Sequence, residues 1–575
     1  MNSRYYQREL DDLRDLAAEF ARAHPALAPR LTGPSPDPDV ERVLEGTAFL
    51  TGRIREKIDD DFPEFIQGLT QLIFPHYLRP LPSATIMAFK PKTILKDTLR
   101  VPAGTYVDSQ PVEGTNCRFR TVYDVDVSPV ILEAADSTDM GGGRHAIDLH
   151  LKMQGAKLTD WNADRISFHL GGDFPGAADL YLLLQRHLRR VSVFSEAGLP
   201  TVLPASYVRP VGLDAEHAML PYPGNSFPAF RMLQEYFLLK EKFLFLELIG
   251  LSRWRDRAGG DRFVIRFELD SSTVPLPRIG AERFVLHATP AINLFPHDAE
   301  PVLLDNSRGS VRVRPSRSKG GDYQVHSIDS VVGHGRGTNA KQEFKAMGMF
   351  DPADQTRPVY QASFQHDERG LTEPLLSVNY PPEYGMPRQQ TLTIRLSCTN
   401  GDLPGRLRPG DINRPTRTTS ELVEFTNLIP PTDSQQAPVG KAMLWRLLSH
   451  LALNYLSLAD DENLKALLSL YIFPGRGGRE TETANRKRVQ GLKGVRVTAA
   501  DRLINGAVFR GQDIEISAGR ENFAGPGDLY LLGSVLDRLL ASFSSLNAYT
   551  AVTLIETQTG ERYRWPPRLG ARPLI

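Results

Sequence analysis

The sequence has 575 residues, of which 41% are hydrophobic and 24% are charged, and its 68 lysines and arginines are balanced by 68 aspartates and glutamates. At roughly 150 residues per domain this length predicts three or four domains, and the apolar content excludes wholesale disorder. Zero net charge argues against nucleic acid as the main partner, because phosphate-binding proteins carry a basic excess. The two cysteines, Cys117 and Cys398, are too few for a disulfide framework or a four-thiolate zinc site, and they indicate a reducing compartment.

The amino-terminal residues MNSRYYQREL are polar and charged, without the apolar segment of a secretory signal. The most apolar stretch, Phe237 to Leu251, is interrupted by four charged residues: Lys240, Glu241, Lys242 and Glu247. No segment reaches the roughly 20 apolar residues that a membrane-spanning helix needs. We therefore expect a cytoplasmic protein without direct membrane insertion, which reaches a membrane only through partners.

Residues 1–84 are predicted to form an N-terminal bundle of three amphipathic helices. The first helix has an apolar stripe at steps of three and four, made of Tyr6, Leu10, Leu13, Ala17 and Phe20. It should end near Pro25, because the residue before a proline disfavours the helical conformation. After a proline-rich linker, Asp37 and Pro38 are suited to begin the second helix. Asp61 and Glu64 resemble a capping box that would begin a third helix, ending at Pro75.

The stripe of the first helix is a candidate partner surface. Three helices joined by a proline-rich linker bury a small core at best. Aromatic side chains are favoured anchors at protein interfaces, so Tyr5, Tyr6, Leu13 and Phe20 are candidate interface residues. Packing of the stripe within the chain is the open alternative.

After Pro82 the sequence changes to short β-rich runs separated by Gly, Pro and Asp. The predicted strands are ATIMAF, RFRTVYDVDV, AIDLHLKM, RISFHL, FLFLEL, RFVIRFEL, QVHSIDSVV, LLSVNY and QTLTIRL. These runs predict a first β-rich domain over 85–225 and a middle β-rich domain over 226–430. The fold class expected is multidomain α+β, with the helical bundle followed by β-rich domains and a C-terminal α/β domain.

The C-terminal domain is expected over 431–575. Helices return with KAMLWRLLSHLALNYLSL and around Glu462 to Leu470, and the last part is predicted as two strands (GVRV, DIEIS), a long helix (GDLYLLGSVLDRLLASF) and a strand (AVTLIET). Charged residues and glycines crowd Arg476 to Arg488, which predicts an exposed loop. Its basic run, Arg486 to Arg488, either contacts an acidic partner or is simply solvated.

One sequence pattern occurs twice. The segment Asp173 to Leu183 (DFPG, then DLYLL) matches Asn522 to Leu532 (NFAG, then DLYLL) without a gap. Each copy follows a strand-like run and is expected to begin a helix. Two explanations stay open, namely chance reuse of a helix-start pattern and two β-plus-helix modules of one type.

Catalytic and metal-binding motifs are weak throughout. There is no G-x-S-x-G, H-E-x-x-H, Walker A or EF-hand pattern. The string Gly335 to Ala340 has the form G-x-G-x-x-A, but the segment after it is broken by Gly348 and Pro352 before a helix can form. Two trios could suggest a metal, yet neither places three ligands on one face of a strand. They are His145, Asp148 and His150, and His326, Asp329 and His334. We expect no cofactor, no metal and no catalytic residue.

Several segments resemble the TssF family, the large wedge subunits of type VI secretion baseplates. The resemblance rests on YYQRELDDLRDLAAEFARAHPALAPRL, FPHYLRPLPS, TPAINLFPHDAEPVLLD, YQVHSIDSVVG, LSCTNGDLP, FAGPGDLYLLGSVLDRLL and WPPR. They occur in the family's order from residue 5 to about 568, and FPHYLRPLPS in its helical setting is the most specific.

The resemblance implies a scaffold that acts mechanically and without catalysis. It implies pairing with TssG, commonly as two copies of this chain around one TssG, and assembly with TssK and TssE around the VgrG spike. It also implies recruitment of the baseplate to the inner membrane through the membrane complex. The other class considered is a surface-binding β-domain protein, tail-fibre-like or carbohydrate-binding, which would be expected to trimerise or to carry exported repeats.

Overall fold

A computed structural model describes most of the chain: residues 3–23, 38–195, 198–222, 226–257, 260–304, 309–318, 321–335, 341–347, 358–366, 372–381, 389–437, 460–473, 479–504 and 506–570. The expected α+β class is confirmed. The predicted domain limits at 84, 225 and 430 stay predictions, and the predicted helix over 441–458 lies outside the described residues. Within the described ranges, no helix is both long and apolar enough to cross a membrane.

The α-helices lie at the two ends of the chain and at two points between the strands. They are α1 (Ser3–Ala23), α2 (Pro38–Ile73), α3 (Phe174–Arg186), α4 (Pro228–Leu238), α5 (Asp461–Leu470), α6 (Arg479–Gln490) and α7 (Pro526–Phe543).

The strands are mostly short and fill the middle of the chain. They are β1 (Ala84–Pro91), β2 (Leu99–Val101), β3 (Tyr106–Val112), β4 (Thr115–Thr121), β5 (Val125–Val127), β6 (Val130–Gly141), β7 (Arg144–Met153), β8 (Arg165–Leu170), β9 (Leu188–Ser195), β10 (Thr201–Pro204), β11 (Val208–Val211), β12 (Phe245–Ile249), β13 (Arg262–Leu269), β14 (Phe284–Leu286), β15 (Ala288–Ile292), β16 (Phe295–Asp298), β17 (Val302–Leu304), β18 (Val311–Arg312), β19 (Gln324–Gly335), β20 (Lys341–Ala346), β21 (Val359–His366), β22 (Thr372–Asn379), β23 (Gln390–Thr399), β24 (Val423–Asn427), β25 (Leu492–Ile504), β26 (Ala507–Ala518), β27 (Ala548–Glu556), β28 (Arg562–Arg564) and β29 (Arg568–Leu569).

Two of the sequence predictions were wrong. The predicted second and third helices are one helix, α2. Their apolar spacing continues through Asp61 and Glu64, and Pro63 costs the helix one backbone hydrogen bond without ending it. The loop predicted over 476–488 is helical from Arg479 onward, as α6. Acidic residues in its first turn and basic residues in its last turn suit the helix dipole, and Arg488 is buried against Asp528 at 2.9 Å.

The sheets join distant parts of the chain. In one sheet β1 lies between β15 and β24, antiparallel to both, and β4 and β3 complete the order β24-β1-β15-β4-β3. A second sheet has the order β10-β9-β13-β7-β6 and a third the order β11-β12-β8-β14. Alternate residues of β13, such as Phe263, Ile265 and Phe267, are buried in the main core, as the period of a strand requires.

A long hairpin and a crossover build the C-terminal sheet. β25 and β26 form the hairpin, and β26 pairs in parallel with β27 through α7. This β-α-β unit is the connection that parallel neighbours require. Nearly all of α7 is buried, and it packs against both α3 and α4. The C-terminal unit therefore shares one core with the second and third sheets.

The two copies of the repeated pattern contact each other. They begin α3 and α7, and the rings of Tyr181 and Tyr530 lie 6.1 Å apart. The Asp179 carboxylate accepts a hydrogen bond from the Gly527 N–H at 2.8 Å. The sheets around the copies differ, because β26 and β27 are parallel neighbours whereas β8 and β9 lie in different sheets. This difference favours reuse of a helix-start pattern over duplication of a module.

Alanine in place of Gly527 is expected to lower the free energy of unfolding by about 1–3 kcal/mol or more. A Cβ at this position would meet the carbonyl carbon and oxygen of Ala178 at 2.1 and 2.2 Å, so α3 and α7 would have to separate. The control is Gly46→Ala in α2, where a Cβ meets nothing within 4 Å and helix propensity favours alanine by about 1 kcal/mol. Urea unfolding followed by circular dichroism checks both, and equal stability of the two variants would contradict the prediction.

Candidate assembly surface

The helices α1 and α2 lie side by side and form an arm at the amino-terminal end of the chain. The Arg14 guanidinium pairs with the Glu41 carboxylate across them. Leu10 and Ala48 are the buried apolar side chains of the arm among those described between residues 6 and 53. The contact between the two helices therefore covers a small part of their apolar surface.

Large apolar side chains of the arm remain exposed to solvent. Leu16 is 59% exposed and Phe20 48% on α1, while Val43 is 67% and Leu50 64% exposed on α2. Leu16 and Phe20 are four residues apart, and Val43 and Leu50 are seven apart, so each pair shares one helix face. Large exposed apolar side chains that share a helix face are typical of a site that another protein covers.

The predicted interface residues have different environments. Phe20 is exposed, Tyr6 and Leu13 are half-buried, and the side chain of Tyr5 lies outside the described part. Leu16, Val43 and Leu50 were not among the interface residues predicted from the sequence. The spacing of Leu16 from Leu13 and Phe20 could have identified it, whereas the exposure of α2 depends on how little of it α1 covers.

The base of the arm is fixed in the body of the protein by the segment after α2. His76 is buried, with its Nδ1 3.2 Å from the Ser226 hydroxyl and its Nε2 3.2 Å from the Tyr471 hydroxyl. Its ring stacks on Tyr222 with the centroids 4.7 Å apart. The Tyr77 hydroxyl donates a hydrogen bond to the carbonyl oxygen of Leu470 at 2.9 Å. These bonds hold the end of α2 against the end of α5.

The first metal trio does not converge on one point. Asp148 accepts two hydrogen bonds from the Arg266 guanidinium, each at 2.7 Å, and is therefore engaged. His150 lies 2.9 Å from a carboxylate oxygen of Asp136 on the next strand. His145 is three residues from Asp148 on β7, so its side chain points to the opposite face of the strand.

The second trio has other contacts, and most of the glycine string lies outside the described residues. His326 is buried, and burial lowers its pKa well below the ordinary value. Asp329 accepts hydrogen bonds from the hydroxyls of Ser327 and Ser397. The glycine string begins where β19 ends, residues 336–340 lie outside the described part, and the next described element is a strand, β20. A dinucleotide site needs a helix at that place.

One group with metal-ligating chemistry was missed by the sequence analysis. Ligand atoms of Asp214, Glu216 and His217 lie within 4.8 Å of one another. The two carboxylates are exposed, and Asp214 forms an ion pair with Arg538 at 3.0 Å. Close spacing in a loop is a common arrangement of exposed acidic groups, so this group alone does not indicate a metal site.

Comparison with known proteins gives a consistent result. The family model described as "Type VI secretion system, TssF" matches residues 2–572. The chain is 31% identical over 625 aligned residues to the type VI secretion system component TssF1 of Pseudomonas aeruginosa, covering 99% of this chain and 98% of the relative. It is also similar to a chain in the cryo-electron microscopy structure of a type VI TssK-TssF-TssG baseplate subcomplex, with a TM-score of 0.80, 29% identity and coverage of 92% of this chain and 98% of the other. A chain of a type VI baseplate complex has a similar fold, with a TM-score of 0.58, 24% identity and full coverage of both chains.

Proposed function

The chain belongs to the TssF family, whose members are structural subunits of the type VI secretion baseplate, and we propose that the arm is the surface through which this subunit is built into that assembly. Baseplate subunits act by holding their neighbours in a fixed geometry. The exposed side chains of Leu16, Val43 and Leu50 support the proposal, because exposed apolar surface on a helix is typical of a site that another protein covers. The surface-binding β-domain alternative is not favoured.

We assign the arm to TssG or to a second copy of this chain. The similar TssF chain was solved together with TssK and TssG, which supports TssG and TssK as partners here. We further propose two copies of this chain per TssG, wedges completed by TssE around the VgrG spike, and recruitment from the cytoplasm to the inner membrane through the membrane complex. A purely mechanical role without catalysis accords with this assembly.

Serine in place of Leu16, Val43 and Leu50 is expected to weaken binding of TssG or of the second copy by about thirtyfold or more, since loss of one interface anchor typically costs about 2 kcal/mol. Because these side chains are exposed, the isolated triple variant should melt within a few degrees of the wild type. A pull-down with tagged TssG, followed by mass measurement of the recovered complex, checks the loss.

The matched control is Leu10→Ser, which changes a buried side chain of the same arm. It should unfold the arm, seen as loss of helical circular dichroism, and reduce recovery only as a consequence. If the triple variant recovers TssG and the second copy as well as the wild type does, the arm is not the assembly surface. If the triple variant does lose binding, the single variant Leu16→Ser, which changes α1 alone, separates the contributions of the two helices.

A further inference from the structure

Two neighbouring chain connections join the sheet formed by residues 295–399 to the rest of the protein. All of its strands, β16 to β23, lie within that range. Its buried residues, from Phe295 to Cys398, form a hydrophobic cluster of their own, against which the half-buried Tyr106 of β3 also packs. The chain enters this sheet through Asn293 and leaves it through Asn400.

The two connecting asparagines are bonded to each other. Both are fully buried. The Asn293 Oδ1 accepts the backbone N–H of Asn400 at 2.6 Å, and the Asn293 Nδ2 donates to the Asn400 Oδ1 at 2.8 Å. Arg118 on β4 completes the pair, since its N–H donates to the Asn400 Oδ1 at 3.0 Å and its carbonyl accepts from the Asn293 Nδ2 at 2.8 Å. Buried amides are costly unless they are bonded in this way, so the clasp is a defined fixed point.

Away from the clasp, the described boundary includes the contact of Tyr106 on β3 with the sheet's core and several separate polar contacts. Gln324 and Gln436 exchange two side-chain hydrogen bonds at 2.7 and 3.2 Å. The Thr115 hydroxyl lies 3.3 Å from an Asp322 carboxylate oxygen. Domains joined by a boundary of this kind can move relative to each other unless the boundary is large and hydrophobic.

An apolar contact joins this sheet to the base of the arm. Phe364 on β21 packs with Leu78, and both are buried, in a small cluster of their own. Leu69 near the end of α2 packs against the same pair. The orientation of the sheet and the position of the base of the arm are therefore coupled through the contacts of Phe364.

We propose that residues 295–399 form a module that turns about the Asn293–Asn400 clasp, and that the contact of Phe364 with Leu78 is the latch that holds it closed. Groups on an axis of rotation move least, so the clasp can persist while the glutamine pair and the latch open. Gly401, directly after the clasp, has a φ of +56° with no contact for a Cβ closer than 3.8 Å, which suits a residue that must absorb a change of backbone angle. A protein bound to the arm would shift the angle of the module through the latch. The module and its latch are properties of the isolated chain and do not rest on the proposed partner.

Distance measurement by pulsed electron paramagnetic resonance on the full chain tests this directly. Spin labels are placed at the exposed positions Glu343→Cys in the module and Glu424→Cys on β24. The native Cys117 and Cys398 are buried, and burial raises the pKa of each thiol to about 12, so they remain unlabelled. The wild type should show one dominant distance, and Phe364→Ala should increase a second, displaced population at least tenfold.

The control is Val331→Ala, which loosens the module's own core without touching its boundary. It should leave the distance distribution unchanged although it lowers the melting temperature. A single unchanged distance in Phe364→Ala would overturn the proposal. The same second population in Val331→Ala would overturn it too, because the change would then report general softening. Asn293→Ala should broaden the distribution, since it removes the fixed point of the rotation.

Discussion

Replacing Lys242 by methionine is expected to lower the free energy of unfolding by about 3 kcal/mol, because the buried Glu235 carboxylate loses its bonded ammonium group and keeps only the Arg231 guanidinium, 4.0 Å away. The Lys242 Nζ donates to the Glu235 carboxylate at 2.5 Å and to the Gly212 carbonyl at 3.0 Å. Each of the two charged side chains is 2% exposed. Burial lowers the pKa of Lys242, and the neighbouring Glu235 opposes that shift, so the pair depends on both members.

The double variant Glu235→Gln with Lys242→Met should recover at least half of the loss. A glutamine oxygen can still accept the N–H groups of Met219 and Leu220, which Glu235 accepts at 2.8 and 2.9 Å, while no charge remains buried. The control is Lys240→Met, whose ion pair with Glu241 is partly solvated and worth about 1 kcal/mol or less. Urea unfolding of the three variants measures the differences. A loss for Lys242→Met no greater than for Lys240→Met would contradict the argument.

Acidification from pH 6.5 towards pH 4 is expected to destabilise the protein by up to about 3 kcal/mol for each of two buried histidines. Burial lowers the pKa of His169 and of His287 from 6.5 to about 4. Between pH 6.5 and about 4, these two imidazoles are protonated in the unfolded chain but stay neutral in the folded chain. The free energy of unfolding therefore rises with pH in this range. The contribution is therefore fully present above pH 6.5 and is lost as the pH falls to about 4.

Phenylalanine in place of His169 should remove the part of this acid sensitivity that His169 contributes, while His287 and the buried His326 keep theirs. The His169 ring lies 4.6 Å from Phe245, and in the described part its nitrogens have no close hydrogen-bond partner beyond a weak contact with the Glu241 backbone, so an apolar ring suits the site. His150→Gln changes an exposed histidine of the neighbouring sheet and should leave the sensitivity as it is. Melting temperatures between pH 7 and pH 4.5 check both variants. An identical acid loss in His169→Phe and the wild type would rule out the assignment.

Elements with a strong local pattern could be predicted from the sequence. The run RFVIRFEL alternates apolar and polar residues, and it forms β13 over the predicted range. The break in α2 was predicted because Asp61 and Glu64 match a capping pattern, but a local cap does not end a helix whose apolar spacing continues. The charges and glycines of 476–488 suggested a loop, yet Arg488 is buried with Asp528, a partner 40 residues away that the local pattern cannot reveal.

The candidate site was predictable in part for a similar reason. Periodicity located the stripe of α1, but it could not show how little of α2 is covered by α1, and so Val43 and Leu50 were missed. Lys242 was interpreted as an interruption of an apolar stretch, whereas its charge is neutralised by Glu235 one helix earlier. Both cases depend on contacts between separate elements, and a single sequence does not show such contacts.

The sheet in which β1 lies between β15 and β24 has a consequence for the order of events on the ribosome. β1, β15 and β24 come from 84–91, 288–292 and 423–427, so β1 leaves the exit tunnel long before β24 has been translated. At about 5–20 residues per second, that interval lasts roughly half a minute. The arm needs only the first 73 residues, so it is synthesised and free in that time with its leucines and valine uncovered. A partner made alongside the nascent chain can therefore meet the arm before the remainder of the subunit has folded.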